Sequence, residues 1–148
     1  MKIEGQYILP GTPADVWERL NDPKILAKTF PGGDVLEPDG PDHYKAQIKY
    51  KMGPVSGTFN VTLELSEKVP PKSMHLKTNG RGGAGFINAD GQMELVERGK
   101  NTEVQYTGNF QFGGLLAAMG SRMMESMTKE SIDNFFQAVA ASLRNRSA

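Results

Sequence analysis

Few side chains in this sequence of 148 residues could carry out bond chemistry, and their spacing limits what they could do. The two histidines, His43 and His75, lie far apart and show neither an HExxH spacing nor a carboxylate-rich neighbourhood, so no metal site is expected. Cysteine is absent, which removes thiol nucleophiles, thiolate metal ligands and disulfides, and suits a reducing compartment. No G-x-S-x-G elbow occurs, so Ser/His or Cys/His nucleophilic catalysis has little to stand on. The run Gly80-Arg81-Gly82-Gly83-Ala84-Gly85 formally fits G-x-G-x-x-G. A dinucleotide fingerprint needs a strand before it and a helix after it, whereas a strand pattern follows here, so the run reads as a flexible strand connection. What remains are tyrosines at positions expected to face inward, Tyr7, Tyr50 and Tyr106, which suit proton transfer or, more commonly, a single core hydrogen bond. No cofactor is called for by any of these patterns.

The elements that would hold these residues follow from hydrophobic period. Lys2 to Leu9 alternates, with Ile3, Gly5, Tyr7 and Leu9 on one face, and Pro10-Gly11 ends it as a first strand. Thr12-Pro13-Ala14-Asp15 combines an N-cap hydroxyl with proline at the first helical position, and Asp22-Pro23 repeats that grammar. Two short helices are predicted, the second running through Ile25, Leu26 and Phe30 to Pro31. Pro31-Gly32-Gly33 is a turn and Val35-Leu36 a short strand; Pro38 to Asp42 is turn chemistry. Period-two patterns then run through Tyr44–Tyr50, Val55–Leu65, Met74–Thr78, Ile87–Leu95 and Thr102–Phe112, each with one apolar face. About seven single-faced strands joined by short turns describe an antiparallel sheet with one wet side. Gly114 to Arg144 reads as a single amphipathic helix of roughly 45 Å, with Met124, Met127, Ser131, Ile132, Phe135, Phe136, Val139 and Leu143 on one arc. The expected architecture is α+β: one domain over 1–148, a curved sheet around a long C-terminal helix, with two short helices after strand 1.

A bent sheet gripping a helix leaves a hollow, and the residues expected to line it come from both sides. The helix supplies Met119, Met123, Met124, Met127 and Phe135. Facing them, the sheet supplies Ile48, Phe59, Val61, Leu63, Leu76, Met93, Tyr106 and Phe110. Methionine is unbranched and polarizable and can repack around a guest. Inward Gly57, Ala89 and Gly108 enlarge the space because they contribute little or no side chain. Such a pocket suits lipid-like or polycyclic guests, and the alternative is a filled core with no cavity.

Composition narrows the field further. Seventeen basic and seventeen acidic residues give zero net charge, so the electrostatic footprint of a nucleic-acid binder is missing. The N-terminal residues have no apolar h-region, and no run approaches the ~18 apolar residues of a membrane span. A cytoplasmic protein without an integral membrane segment is the expectation.

Strand, two short helices, six strands and a long helix is an order that resembles the START-like (SRPBCC) helix-grip superfamily. More narrowly, the chain resembles the family of the G subunit of carbon monoxide dehydrogenase. The carrying residues are Val16-Trp17 with Asn21-Asp22-Pro23, Phe30-Pro31-Gly32, and Gly53-Pro54-Val55-Ser56-Gly57-Thr58-Phe59. Gly85 with Gly91 and Leu95, Thr102-Glu103-Val104-Gln105-Tyr106, and Gly113-Gly114-Leu115 with Gly120 complete the match. The resemblance implies a binding protein for a quinone- or lipid-like molecule that serves a molybdenum-containing dehydrogenase as an accessory factor, with contact to the inner membrane face in some relatives through a C-terminal extension. A helix-grip enzyme using pocket tyrosines or a carboxylate, and an interaction module without a ligand, are the alternatives.

Overall fold

The chain opens with β1 (Lys2–Pro10), and Thr12 turns it into a helix because its hydroxyl accepts a hydrogen bond from the Asp15 amide at 3.2 Å. That helix, α1 (Pro13–Leu20), buries Val16 and Leu20 completely. Asp22 then caps the single turn α2 (Pro23–Leu26) by accepting from the Lys24 amide at 2.9 Å. A computed structural model describes residues 1–27, 36–52 and 55–146 of the chain. The predicted end of the second helix at Phe30, the turn at 31–33, Val35 and the Gly53-Pro54 break lie outside them.

Among the described residues seven strands form one antiparallel sheet in the order β1-β7-β6-β5-β4-β3-β2. Beyond β1 these are β2 (Glu37–Pro38), β3 (His43–Met52), β4 (Val55–Val69), β5 (Ser73–Gly82), β6 (Gly85–Arg98) and β7 (Asn101–Gly113). Every neighbour except the β7–β1 pair is a hairpin partner, and that pair closes the meander by laying the first strand beside the last. Parity holds as the alternation requires: Ile48, Phe59, Val61, Leu63, Leu65, Met74, Met93, Leu95 and Val104 are all buried on the inner face.

Three expectations need correction. The short edge strand is Glu37–Pro38, paired with Lys45 and Tyr44, so it begins later than Leu36 and takes in the proline assigned to a turn. Proline lacks an amide hydrogen and is tolerated there because an edge strand needs only one side of its ladder. Next, Gly80 to Gly85 is not a loose connection. β5 runs to Gly82, which pairs with Gly85, and only Gly83-Ala84 turns. Finally, the C-terminal helix is not one rod. A short α3 (Leu115–Ala118) precedes α4 (Ser121–Arg146), and Gly120 between them has φ +95°, outside any right-handed helix. The 26 residues of α4 still make a rod of about 39 Å.

The inner face of α4 carries Met124, Phe135, Phe136, Val139, Ala140 and Leu143, all buried, while Lys129, Glu130, Asp133 and Gln137 are exposed. Packing is uneven along its length. Its C-terminal half joins α1, α2, Leu9, Leu63, Leu65, Met74 and Val104 in a continuous core. A second, smaller cluster forms at the other end from Ile48, Phe59, Val61, Ala84, Leu116 and Met124. Backbone approach of α4 to the sheet is mainly to the edge strand β1, so over the sheet's centre the helix stands off.

Candidate functional site

Between the two clusters lies a cavity of about 260 Å³, walled almost entirely by carbon. The sheet contributes Ile3, Ile48, Phe59, Val61, Leu76, Ile87, Met93, Tyr106, Phe110 and Phe112. Across the gap, α4 contributes Met124, Met127, Thr128, Ser131, Ile132, Phe135 and Phe136. The floor is built from small residues, because Gly91 pairs with Gly108 across β6 and β7 and Thr78 pairs with Ala89 across β5 and β6. Where two strands both lack side chains on the inner face, the helix has nothing to pack against, and space remains.

Two aromatic rings of the cavity wall are folded over glycines. A Cβ on Gly108 would sit 2.8 Å from the Phe110 ring, and one on Gly5 would sit 2.6 Å from the Tyr106 hydroxyl oxygen. Tyr106 thus leans over the edge strand, stacked on Phe136 at 5.4 Å, and Phe136 in turn stacks on Tyr7 at 5.1 Å. These stacked rings fix one end of the cavity.

The polar groups in the wall are few. Tyr106 is the most consequential: burial, reinforced by the negative charge of Asp133 and opposed by Lys129, pushes its phenol pKa above the ordinary tyrosine value. It is therefore held protonated, as a hydrogen-bond donor rather than a base. Thr128 donates its hydroxyl back to the Met124 carbonyl at 2.8 Å, which leaves its lone pairs available. Ser131 adds a second hydroxyl from the next turn of the helix. Among the described residues no group of three or more His, Cys, Asp or Glu is gathered in a way that could hold a metal ion.

Of the residues expected to line a pocket, Ile48, Phe59, Val61, Leu76, Met93, Tyr106, Phe110, Met124, Met127 and Phe135 do border this cavity. Leu63 does not: it sits further along β4, buried in the filled core with Leu65 and Leu36. Met119 is the C-cap of α3 and packs against the smaller cluster instead. Met123 is 49% exposed, because a 100° step back from the buried Met124 carries it away from the inner arc. Sequence reasoning missed Ile3, Gly80, Ile87 and Ser131 as wall residues. Parity already placed Ile3 and Ile87 inward, but Gly80 was hidden by reading 80–85 as a loop.

Comparison with known proteins accords with this architecture. A structure of a conserved protein from Geobacillus kaustophilus superposes with a TM-score of 0.91 at 34% identity, covering 98% of this chain and 96% of that one. The Zhui aromatase/cyclase of Streptomyces sp. R1128 shares the fold, with a TM-score of 0.72 at 15% identity over 100% of this chain and 96% of its own. So does the Mll3558 protein of Rhizobium loti, with a TM-score of 0.70 at 16% identity over 95% of each chain. No curated protein matches significantly in sequence. Among the described residues no helix is long and apolar enough to cross a membrane. The sequence model of CoxG, the G subunit of carbon monoxide dehydrogenase, matches residues 5–144, essentially the whole helix-grip domain, and the chain belongs to that family.

Proposed function

We propose that this protein binds a small hydrophobic molecule, quinone- or lipid-like, beneath α4, and does so as an accessory factor of a molybdenum-containing carbon monoxide dehydrogenase-type enzyme. The observation that carries the binding half is the cavity of about 260 Å³ with its apolar wall. An apolar cavity of roughly 150 Å³ already admits benzene and stays dry, so this one has room for a bicyclic ring or a folded short chain. Burying the guest's surface supplies about 25 cal/mol per Å² without any charge. Tyr106, held protonated, gives one directional contact to a carbonyl or hydroxyl oxygen on the guest. The dehydrogenase half rests on the family to which the chain belongs. The reading places the protein in the cytoplasm, working at the inner face of the membrane.

The test is direct. Purified protein is extracted with organic solvent for mass spectrometry of any retained lipophile, and its melting is followed with menadione or palmitate present. A saturable rise in Tm with either compound supports the reading; no rise and no extracted lipophile would remove it. Co-purification with a dehydrogenase, tested separately, decides the partner.

A further inference from the structure

The two edges of the sheet are built differently. At one edge β2 is two residues long and ends in Pro38, and the strand behind it shows the exposed lysines Lys45 and Lys49. A short strand, a proline and lysines are the devices that keep a sheet edge from pairing with another chain. At the other edge β1 lacks them over most of its length. It runs for 9 residues, and its register against β7 passes from Lys2↔Asn109 to Pro10↔Asn101 without a bulge. Its proline stands last, and its lysine stands first, 3.8 Å from the Glu4 carboxylate.

Which backbone groups face outward follows from the two ends of the ladder. The Met1 amine donates to the Phe110 carbonyl at 2.9 Å and the Phe110 amide donates to the Met1 carbonyl at 2.7 Å, while at the far end the Gly11 amide donates to the Lys100 carbonyl at 3.2 Å. The odd-numbered residues of β1 therefore bond to β7, and the N–H and C=O groups of Lys2, Glu4, Gln6 and Ile8 point away from it. All four residues are exposed, and among the described residues no strand pairs with that side.

Such a row is a template for one more antiparallel strand, and β1 is complementary to itself. A second β1 must match even-numbered residues with even-numbered ones, which centres the pairing on Glu4, Gly5 or Gln6. Centred on Glu4, two carboxylates would meet; centred on Gln6, Lys2 would meet Pro10, which has no N–H. Centred on Gly5, Lys2 faces Ile8 and Glu4 faces Gln6, so no like charges oppose and every outward N–H and C=O finds a partner. Gly5 then lies on the twofold axis as the closer, non-hydrogen-bonded kind of pair. Without a side chain it leaves that spot to the Tyr106 hydroxyl, whose oxygen is 2.6 Å from where a Gly5 Cβ would be. Gly5 is exposed although it faces inward, so α4 leaves the edge open there; the helix crosses β1 at Tyr7, on which Phe136 stacks. The twofold carries the second α4 to the opposite end of the paired strands.

We infer that β1 is the interface of a twofold dimer, in which it pairs antiparallel about Gly5 with β1 of a second copy to make one continuous sheet. The interface does not rest on the carrier reading above. Because Tyr106 belongs to the cavity wall, the pairing brings the tyrosine end of each cavity to the shared axis.

The test is sedimentation velocity of the full chain over a concentration series up to about 200 μM. The wild type is expected to pass from monomer to dimer as concentration rises. Gln6→Glu sets two like-charged pairs against Glu4 of the opposite copy and should weaken dimerisation roughly tenfold, whereas Gln6→Lys sets two opposite-charged pairs and should strengthen it roughly threefold or more. Both should keep the wild-type circular dichroism spectrum. Gln6→Pro removes an N–H that the monomer's own ladder does not use, so it should give a folded protein that stays monomeric. The two charge variants decide the case if the proline variant does not fold. A wild type that remains monomeric throughout overturns the interface, as does a dimer that the Gln6 variants leave unchanged. Weakening by both Gln6→Glu and Gln6→Lys would set Gln6 opposite itself and refute the Gly5-centred pairing.

Discussion

Tyr106 and Phe136 show how single residues divide packing from chemistry here. Phe136, 1% exposed, is clamped between Tyr7 and Tyr106, so Phe136→Ala removes both stacking partners' support and should cost about 3–5 kcal/mol in denaturant unfolding. A loss below about 1 kcal/mol would mean the ring stack does not bear on the core. Tyr106 has its pKa raised by burial and by Asp133. Because the unfolded chain then ionises first, stability is intact below the ordinary tyrosine value of 10.0 and falls as pH rises through the folded value. Alkaline titration of ultraviolet absorbance should show one late-ionising tyrosine, absent in Tyr106→Phe, and that variant should lose less stability than wild type above about pH 10. Identical titration curves would refute the assignment. Both residues were legible from parity and helical period, since each needed only a face. Their stacking was not, because it depends on Gly5 allowing the Tyr106 ring to cross β1, a tertiary fact.

At the level of elements, strands were the easier half. Alternation has a period of two, a one-residue slip would expose every apolar side chain, and the paired registers keep that parity from β3 to β7 except at the irregularity between Ser66 and Val69 near the end of β4. The C-terminal helix was harder. Glycine inside a helix costs only about 1 kcal/mol, so Gly120 could be read through, and the apolar pattern from Leu116 to Met124 survives on either side of it. What breaks the helix is the anchor of Leu116 on the Ala84 carbonyl, which draws α3 to the hairpin and leaves Gly120 to absorb the turn at φ +95°. Of the methionines expected in the pocket, Met124 and Met127 keep the phase of the rod and border the cavity, whereas the break leaves Met119 as a cap and the 100° step from Met124 leaves Met123 in solvent. The sign of one substitution separates the two pictures. Gly120→Ala should destabilise by about 1–2 kcal/mol, because an L side chain resists positive φ; a continuous helix would instead be stabilised by up to about 1 kcal/mol.

For the molecule as a whole, the unfilled space between sheet and helix is a standing cost. An apolar void loses about 24 cal/mol per Å³ of contact that better packing would recover, and evolution toward stability alone would favour filling it. Ala89 is the place to ask whether the space is kept for a guest, since it lies on the cavity floor, paired with Thr78 and Phe110, at the centre of the sheet. Ala89→Leu adds three carbons to a hollow of about 260 Å³, so unlike an ordinary core insertion it should leave stability unchanged or raise it. Guest binding should respond in the opposite direction. At a free concentration a hundred times Kd a ligand stabilises the wild type by about 2.7 kcal/mol, which for a domain of this size raises Tm by roughly 5–10 °C. Menadione or palmitate at saturation should produce such a shift in the wild type and little or none in Ala89→Leu, despite the variant's equal or higher Tm without ligand. A variant that melts lower than wild type yet responds fully would show that the space is not where the guest sits, whereas a more stable protein that has stopped responding ties the void to binding.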